Sequence, residues 1–80
     1  EDRAIDEAER VFEFFLNQLR LREGIDPGVF EARTGLPWSR VAGRVGEAVG
    51  RGLLEAADTR FRPTGQGWRF MNDLQAMFLP

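Results

Sequence analysis

Cysteine, histidine and tyrosine are all missing from this chain. Their absence removes the thiol nucleophile, the imidazole general base and the thiolate or imidazole metal ligand. Any enzyme chemistry linked to this segment is therefore expected to reside in residues outside it. Lysine is missing too: the eleven basic residues are all arginine, read here as a bias of the source genome rather than a functional signal. With no disulfide available, the core must carry stability alone, which suits a reducing compartment, and a cytoplasmic location is the expectation. No apolar run approaches the ~18 residues that a membrane span needs, and the start carries no signal-peptide pattern. The opening Glu1-Asp2-Arg3, with no methionine, is what a piece of a longer protein would show.

What is present suits one small domain. Eighty residues bury only roughly 60–65% of the unfolded surface, and seven phenylalanines and two tryptophans supply large buried areas to compensate. Eleven basic against thirteen acidic residues leave a net charge of −2. That balance argues against a dedicated nucleic-acid binder, whose phosphate contacts call for a basic face.

Periodicity predicts a first helix from Ile5 to Arg20, with Ile5, Ala8, Val11, Phe12, Phe15, Leu16 and Leu19 on one face and Gly24 ending the element. Asp26-Pro27 is an N-cap acceptor followed by proline at the first helical position. It opens a short second helix that carries Val29, Phe30 and Ala32 and stops before Gly35. A third helix begins at Leu36-Pro37, with Trp38, Val41, Ala42, Val45, Ala48 and Val49 on its apolar face, and ends near Gly50 to Gly52. Leu53 to Ala56 and Arg60 to Arg62, around a turn at Ala57-Asp58-Thr59, read as a β-hairpin that Pro63 keeps short. Thr64 caps a last helix with Phe70, Met71, Leu74, Met77 and Phe78 on one side. The expected fold is mainly α with a small β-hairpin, a winged-helix-like domain.

Five constellations are candidates for function. Arg40, Arg44 and Arg51 form an outward stripe on the expected third helix, where a DNA reader would meet phosphates or guanine edges. Glu47 sits within that stripe, and a solvated polar face is the simpler reading. Gly43, Gly46 and Gly50 share one narrow sector of the same helix, each at a cost of roughly 0.8–1.0 kcal/mol relative to alanine. They imply close backbone approach, either by another part of this domain or by a neighbouring one. Phe14 and Leu21 on the first helix, and Trp68 and Leu79 on the last with Asn72 and Gln75, point away from the expected core faces. Large apolar residues so placed suggest a docking surface, or helices covered on more than one side. Met71 and Met77 lie on a core face, where filling space outweighs ligation of heme iron. The acidic pairs Glu7/Glu9 and Asp2/Asp6 suit a helix N-terminus and need no catalytic role.

The order of several short segments resembles the C-terminal domain of the oxygen-independent coproporphyrinogen III oxidase-like family of radical S-adenosylmethionine proteins. These segments are Arg20-Leu21-Arg22-Glu23-Gly24-Ile25 after an aromatic-rich helix, then Phe30, and Gly52-Leu53-Leu54 at the hairpin. Pro63-Thr64-Gly65-Gln66-Gly67, Asn72 and Phe78-Leu79 follow. The ending from Gly67-Trp68-Arg69-Phe70 through Phe78-Leu79 is more similar to the family's heme-chaperone branch than to its coproporphyrinogen oxidase branch. Two departures stand out: Arg33-Thr34-Gly35 lacks the aromatic that many members place before the glycine, and Pro63 replaces a common leucine.

The resemblance implies a parent with an N-terminal barrel that binds a 4Fe-4S cluster on closely spaced cysteines and cleaves S-adenosylmethionine. Neither cofactor is expected in this segment, which supplies no cysteine. The implied role of the domain is to pack on that barrel, with Phe14, Leu21, Trp68 and Leu79 as candidate contacts, in a protein that handles heme or porphyrin. The alternatives are a free-standing winged helix that binds DNA through Arg40, Arg44 and Arg51, and a protein-interaction module unconnected with heme.

Overall fold

The computed structural model describes the backbone of residues 3–79 and the side chains of residues 6–79. The element order is α1 (Arg3–Gln18), α2 (Pro27–Thr34), a 3-10 turn (Trp38–Arg40), α3 (Ala42–Gly50), β1 (Leu54–Ala57), β2 (Arg60–Pro63), α4 (Gly65–Arg69) and α5 (Met71–Ala76). This is a mainly helical domain with one antiparallel hairpin, and the arrangement fits a winged helix.

The helix starts follow the local chemistry. Asp26 takes an extended conformation and accepts a 2.7 Å bond from the Gly28 N–H, with Pro27 at the first helical position. Thr64 caps α4 through the Gly67 N–H at 2.9 Å. In each case a side-chain oxygen satisfies a donor that the first turn leaves orphaned. Glu31 does the same for the 3-10 turn, its carboxylate accepting from the Trp38 N–H at 2.7 Å. The third helix expected from Leu36-Pro37 is therefore two elements, a 3-10 turn and then α3.

α1 ends at Gln18, short of Gly24. The chain tightens through Leu21 N–H to the Gln18 carbonyl and Gly24 N–H to the Leu21 carbonyl, both 3.1 Å. These turns deliver Ile25 to the hairpin, where it exchanges two backbone hydrogen bonds with Phe61, at 2.6 and 2.9 Å. Gly24 serves this contact rather than a helix end. Its φ of +78° lies in the left-handed region, and a Cβ there would meet the Phe61 carbonyl oxygen and come within 2.8 Å of the Arg62 Cβ. Only glycine satisfies both conditions.

β1 and β2 pair from Leu54–Pro63 to Ala57–Arg60, so the loop is Asp58-Thr59, one residue tighter than expected. Asp58 adopts φ +58°, a conformation that aspartate tolerates better than most residues in a two-residue hairpin loop. Pro63 occupies the last strand position, where its missing N–H does least harm.

The core gathers Val11, Phe14, Phe15, Leu19, Ile25, Phe30, Leu36, Val41, Val45, Ala48, Leu53, Leu54, Leu74 and Phe78. Phe15 lies at its centre, stacked on Phe78 at 3.8 Å between ring centroids and tilted against Phe30 at 6.0 Å. Trp38 bridges Phe30 edge-on and Phe61 face-on, tying the hairpin to α2. Met71 and Met77 pack against this core, as their place on the helix wheel predicts. Of the expected first-helix face, Phe12 and Leu16 are only half-buried, and the Ile5 side chain lies outside the described residues, as do Glu1 and Asp2.

Candidate functional site

Phe14 must be withdrawn from the candidate docking residues. It is only 6% exposed and meets Phe15 and Phe30 edge-on, at 5.5 and 5.2 Å. The physical reason is that α2 packs against α1 on a second side, so the buried stripe of α1 turns toward Phe14 and Gln18. Gln75 is a parallel correction. It is buried, and its side-chain amide donates to the Leu16 carbonyl at 3.4 Å, an acceptor in the last turn of α1 that has no partner within the helix.

Leu21 and Trp68 are exposed as expected, by 44% and 45%. The fold brings them together across 47 positions of sequence: with Arg22, Glu55, Arg62 and Pro63 they line one hollow of about 300 Å³. Leu21 arrives on the turn after α1, Pro63 at the end of β2 and Trp68 on α4. Leu79 is also exposed but stands apart from this hollow. Reading the helices one at a time yields Leu21 and Trp68 singly as exposed residues. It does not yield their convergence, which depends on how α1, the hairpin and α4 are packed.

Phe70 is misplaced by the wheel in the opposite sense to Phe14. The expected last helix breaks there, at φ −113° and ψ 44°, and the ring is 43% exposed with the Arg69 guanidinium 5.7 Å over it. A single wheel assumes one straight axis, and a break resets the phase. Phe70 lines a second, open groove with Arg51, Leu53, Gln66, Asp73, Ala76 and Met77.

The arginine stripe does not form as a helical row. Arg44 alone falls within α3; Arg40 belongs to the 3-10 turn and Arg51 follows the helix end. Arg40 is paired with Glu7 at 2.8 Å and Arg51 with Glu47 at 2.7 Å, while the Arg44 guanidinium lies 5.7 Å over the Phe78 ring. Each cation is already engaged within the domain, an arrangement poorly suited to collecting phosphates.

Gly43, Gly46 and Gly50 would meet nothing within 4 Å if each gained a Cβ. Tight packing inside the domain is therefore not what these glycines serve. Gly46→Ala is expected to stabilise the 80-residue chain by roughly 0.5–1 kcal/mol through helix propensity alone. Urea unfolding of the two proteins measures this, and a loss of stability would show an intradomain contact at that position.

No helix among the described residues is long and apolar enough to cross a membrane. Also among them, no group of three or more acidic residues is arranged to hold a metal ion. The cluster implied by the sequence resemblance has no thiolate to bind here, since the chain has no cysteine.

Comparison with known proteins gives the family. Residues 5–70 match the family described as the HemN C-terminal domain. The heme chaperone HemW of Haemophilus influenzae is 35% identical over 80 residues, covering 99% of this chain and 21% of that protein. The heme chaperone HemW of Escherichia coli K12 is 32% identical over 77 residues, covering 96% of this chain and 20% of that protein. The chain thus spans about a fifth of the length of the curated relatives it matches. No solved structure gives a significant match. With the family match running across most of its length, this chain belongs to the HemN C-terminal domain family.

Proposed function

We propose that this domain is the C-terminal accessory part of a longer heme-handling protein of the radical S-adenosylmethionine class. In this reading it docks on the N-terminal barrel of its parent through the Leu21–Trp68 hollow. One observation carries the proposal: two large apolar side chains from separate elements, each nearly half exposed, converge on one concave surface with Pro63. The exposed Leu21 and Trp68 side chains gain by being covered, because apolar area leaves water and a tryptophan anchor concentrates the gain. The lengths of the relatives agree, since about four-fifths of each lies beyond the region matched.

Both relatives carry the name heme chaperone, which favours heme delivery over porphyrin oxidation as the parent's role. The iron–sulfur cluster and S-adenosylmethionine would be held entirely by the barrel. This domain contributes shape and closure, with no group that takes part in chemistry.

Hydroxyl-radical footprinting tests the docking. Trp68 in the full-length protein is expected to oxidise several-fold more slowly than Trp68 in the 80-residue chain. Equal rates in the two would refute docking through this surface.

A further inference from the structure

Resting on that docking reading, we propose that the covering surface presents a carboxylate to Arg22, next to an apolar side chain seated among Leu21, Pro63 and Trp68. The charged residues at the hollow are Arg22, Arg62 and Glu55. Glu55 is committed to Arg62, its carboxylate oxygen 3.1 Å from Nε across the β1–β2 pair. Arg22 has no ion pair or hydrogen bond through its side chain, and no stacking contact with an aromatic ring, among the described residues. The hollow thus carries one uncompensated positive charge beside the Leu21, Pro63 and Trp68 side chains.

In water that charge is well solvated. Covered by another surface it is not, and a guanidinium desolvated without an acceptor is strongly unfavourable. An occupant that covers Leu21, Pro63 and Trp68 must therefore either leave Arg22 at a wet rim or bring an anion to it. A carboxylate matches the planar guanidinium fork with two parallel hydrogen bonds. It also fixes the register of a contact whose apolar part is non-directional. The exposed neighbours Arg20 and Glu23 do not line the hollow, so neither substitutes for the missing partner from within the domain. The occupant is accordingly an acidic, apolar-anchored patch of the parent's N-terminal portion.

The test compares Trp68 oxidation in the full-length protein and in its Arg22→Glu and Arg20→Glu variants, with the 80-residue chain as the undocked reference. Arg22→Glu is expected to raise the Trp68 rate to that of the reference, and Arg20→Glu to leave it protected. If Arg22→Glu keeps Trp68 protected, the carboxylate pairing is wrong while docking stands. Loss of protection in both variants makes the effect a diffuse field and overturns the pairing. If Trp68 is unprotected in the unaltered full-length protein, docking and pairing fall together. Unfolding of the Arg22→Glu 80-residue chain should match that of the parent sequence, which separates lost docking from lost folding.

Discussion

Gly67→Ala is expected to destabilise the 80-residue chain by about 3 kcal/mol or more, near the top of the range for single substitutions. The start of α4 is pressed against the end of the α3–β1 connection. The Leu53 carbonyl accepts from the Thr64 N–H at 3.0 Å, and the Thr64 hydroxyl donates to the Gly52 carbonyl at 2.6 Å. A Cβ on Gly67 would collide with that same Leu53 carbonyl oxygen, and would also come within 3.1 Å of its carbon and 3.2 Å of the Pro63 Cβ. The obstacle is backbone, so no rotamer change relieves it; either α4 lifts away or the Thr64 bonds break. Against a total stability of roughly 4–12 kcal/mol for a chain of this size, the loss is severe. Gly65, two residues earlier and at the first position of α4, is the internal control. A Cβ there meets nothing within 4 Å, so Gly65→Ala should be close to neutral. Urea unfolding of the two variants checks the pair, and similar small effects in both would refute the close contact.

Phe15→Ala is expected to cost about 3–5 kcal/mol, the usual range for removing a buried phenylalanine. Phe15 is fully buried, and its ring joins three helical segments, contacting Phe14 within α1, Phe30 of α2 and Phe78 just beyond α5. Its stack on Phe78 is nearly parallel, with 6° between planes, and joins the segment after α5 to α1. At about 4–8 °C per kcal/mol for a domain of this length, the midpoint of thermal unfolding should fall by roughly 12–40 °C. Phe70→Ala provides the contrast. Its ring is 43% exposed, so its removal should cost less than about 1 kcal/mol. Calorimetry that ranked Phe70 above Phe15 would overturn the assignment of the core.

Much of this could be read before any coordinates. The Asp26-Pro27 and Thr64 caps mark helix starts because the side-chain acceptor and the donors it satisfies lie within three residues of one another. The hairpin was legible from two short extended runs around a polar turn. The lack of a thiolate or imidazole ligand and of a thiol nucleophile is a property of composition that no packing can change.

Other assignments were settled only by three-dimensional packing. Phe14 and Phe70 exchange the places that a helix wheel assigns them. Periodicity identifies one stripe per straight helix, but it cannot count the neighbours that cover a second side or anticipate a break that resets the phase. Gly65 and Gly67 are equivalent in the sequence, and differ because one faces open space and the other a carbonyl contributed from 14 positions earlier. The Arg40, Arg44 and Arg51 stripe dissolved into internal ion pairs and a ring contact once each arginine found its neighbour. Leu21 and Trp68 could be recognised singly as apolar residues off the core face, but their meeting in one hollow required the hairpin to lie between them. Local hydrogen bonding and side-chain period are encoded by neighbours along the chain, so the sequence alone determined the caps, the hairpin and the absence of thiol and imidazole groups. Burial, close approach and convergence depend on atoms distant in sequence, so only the tertiary structure could bring Leu21 and Trp68 into one hollow.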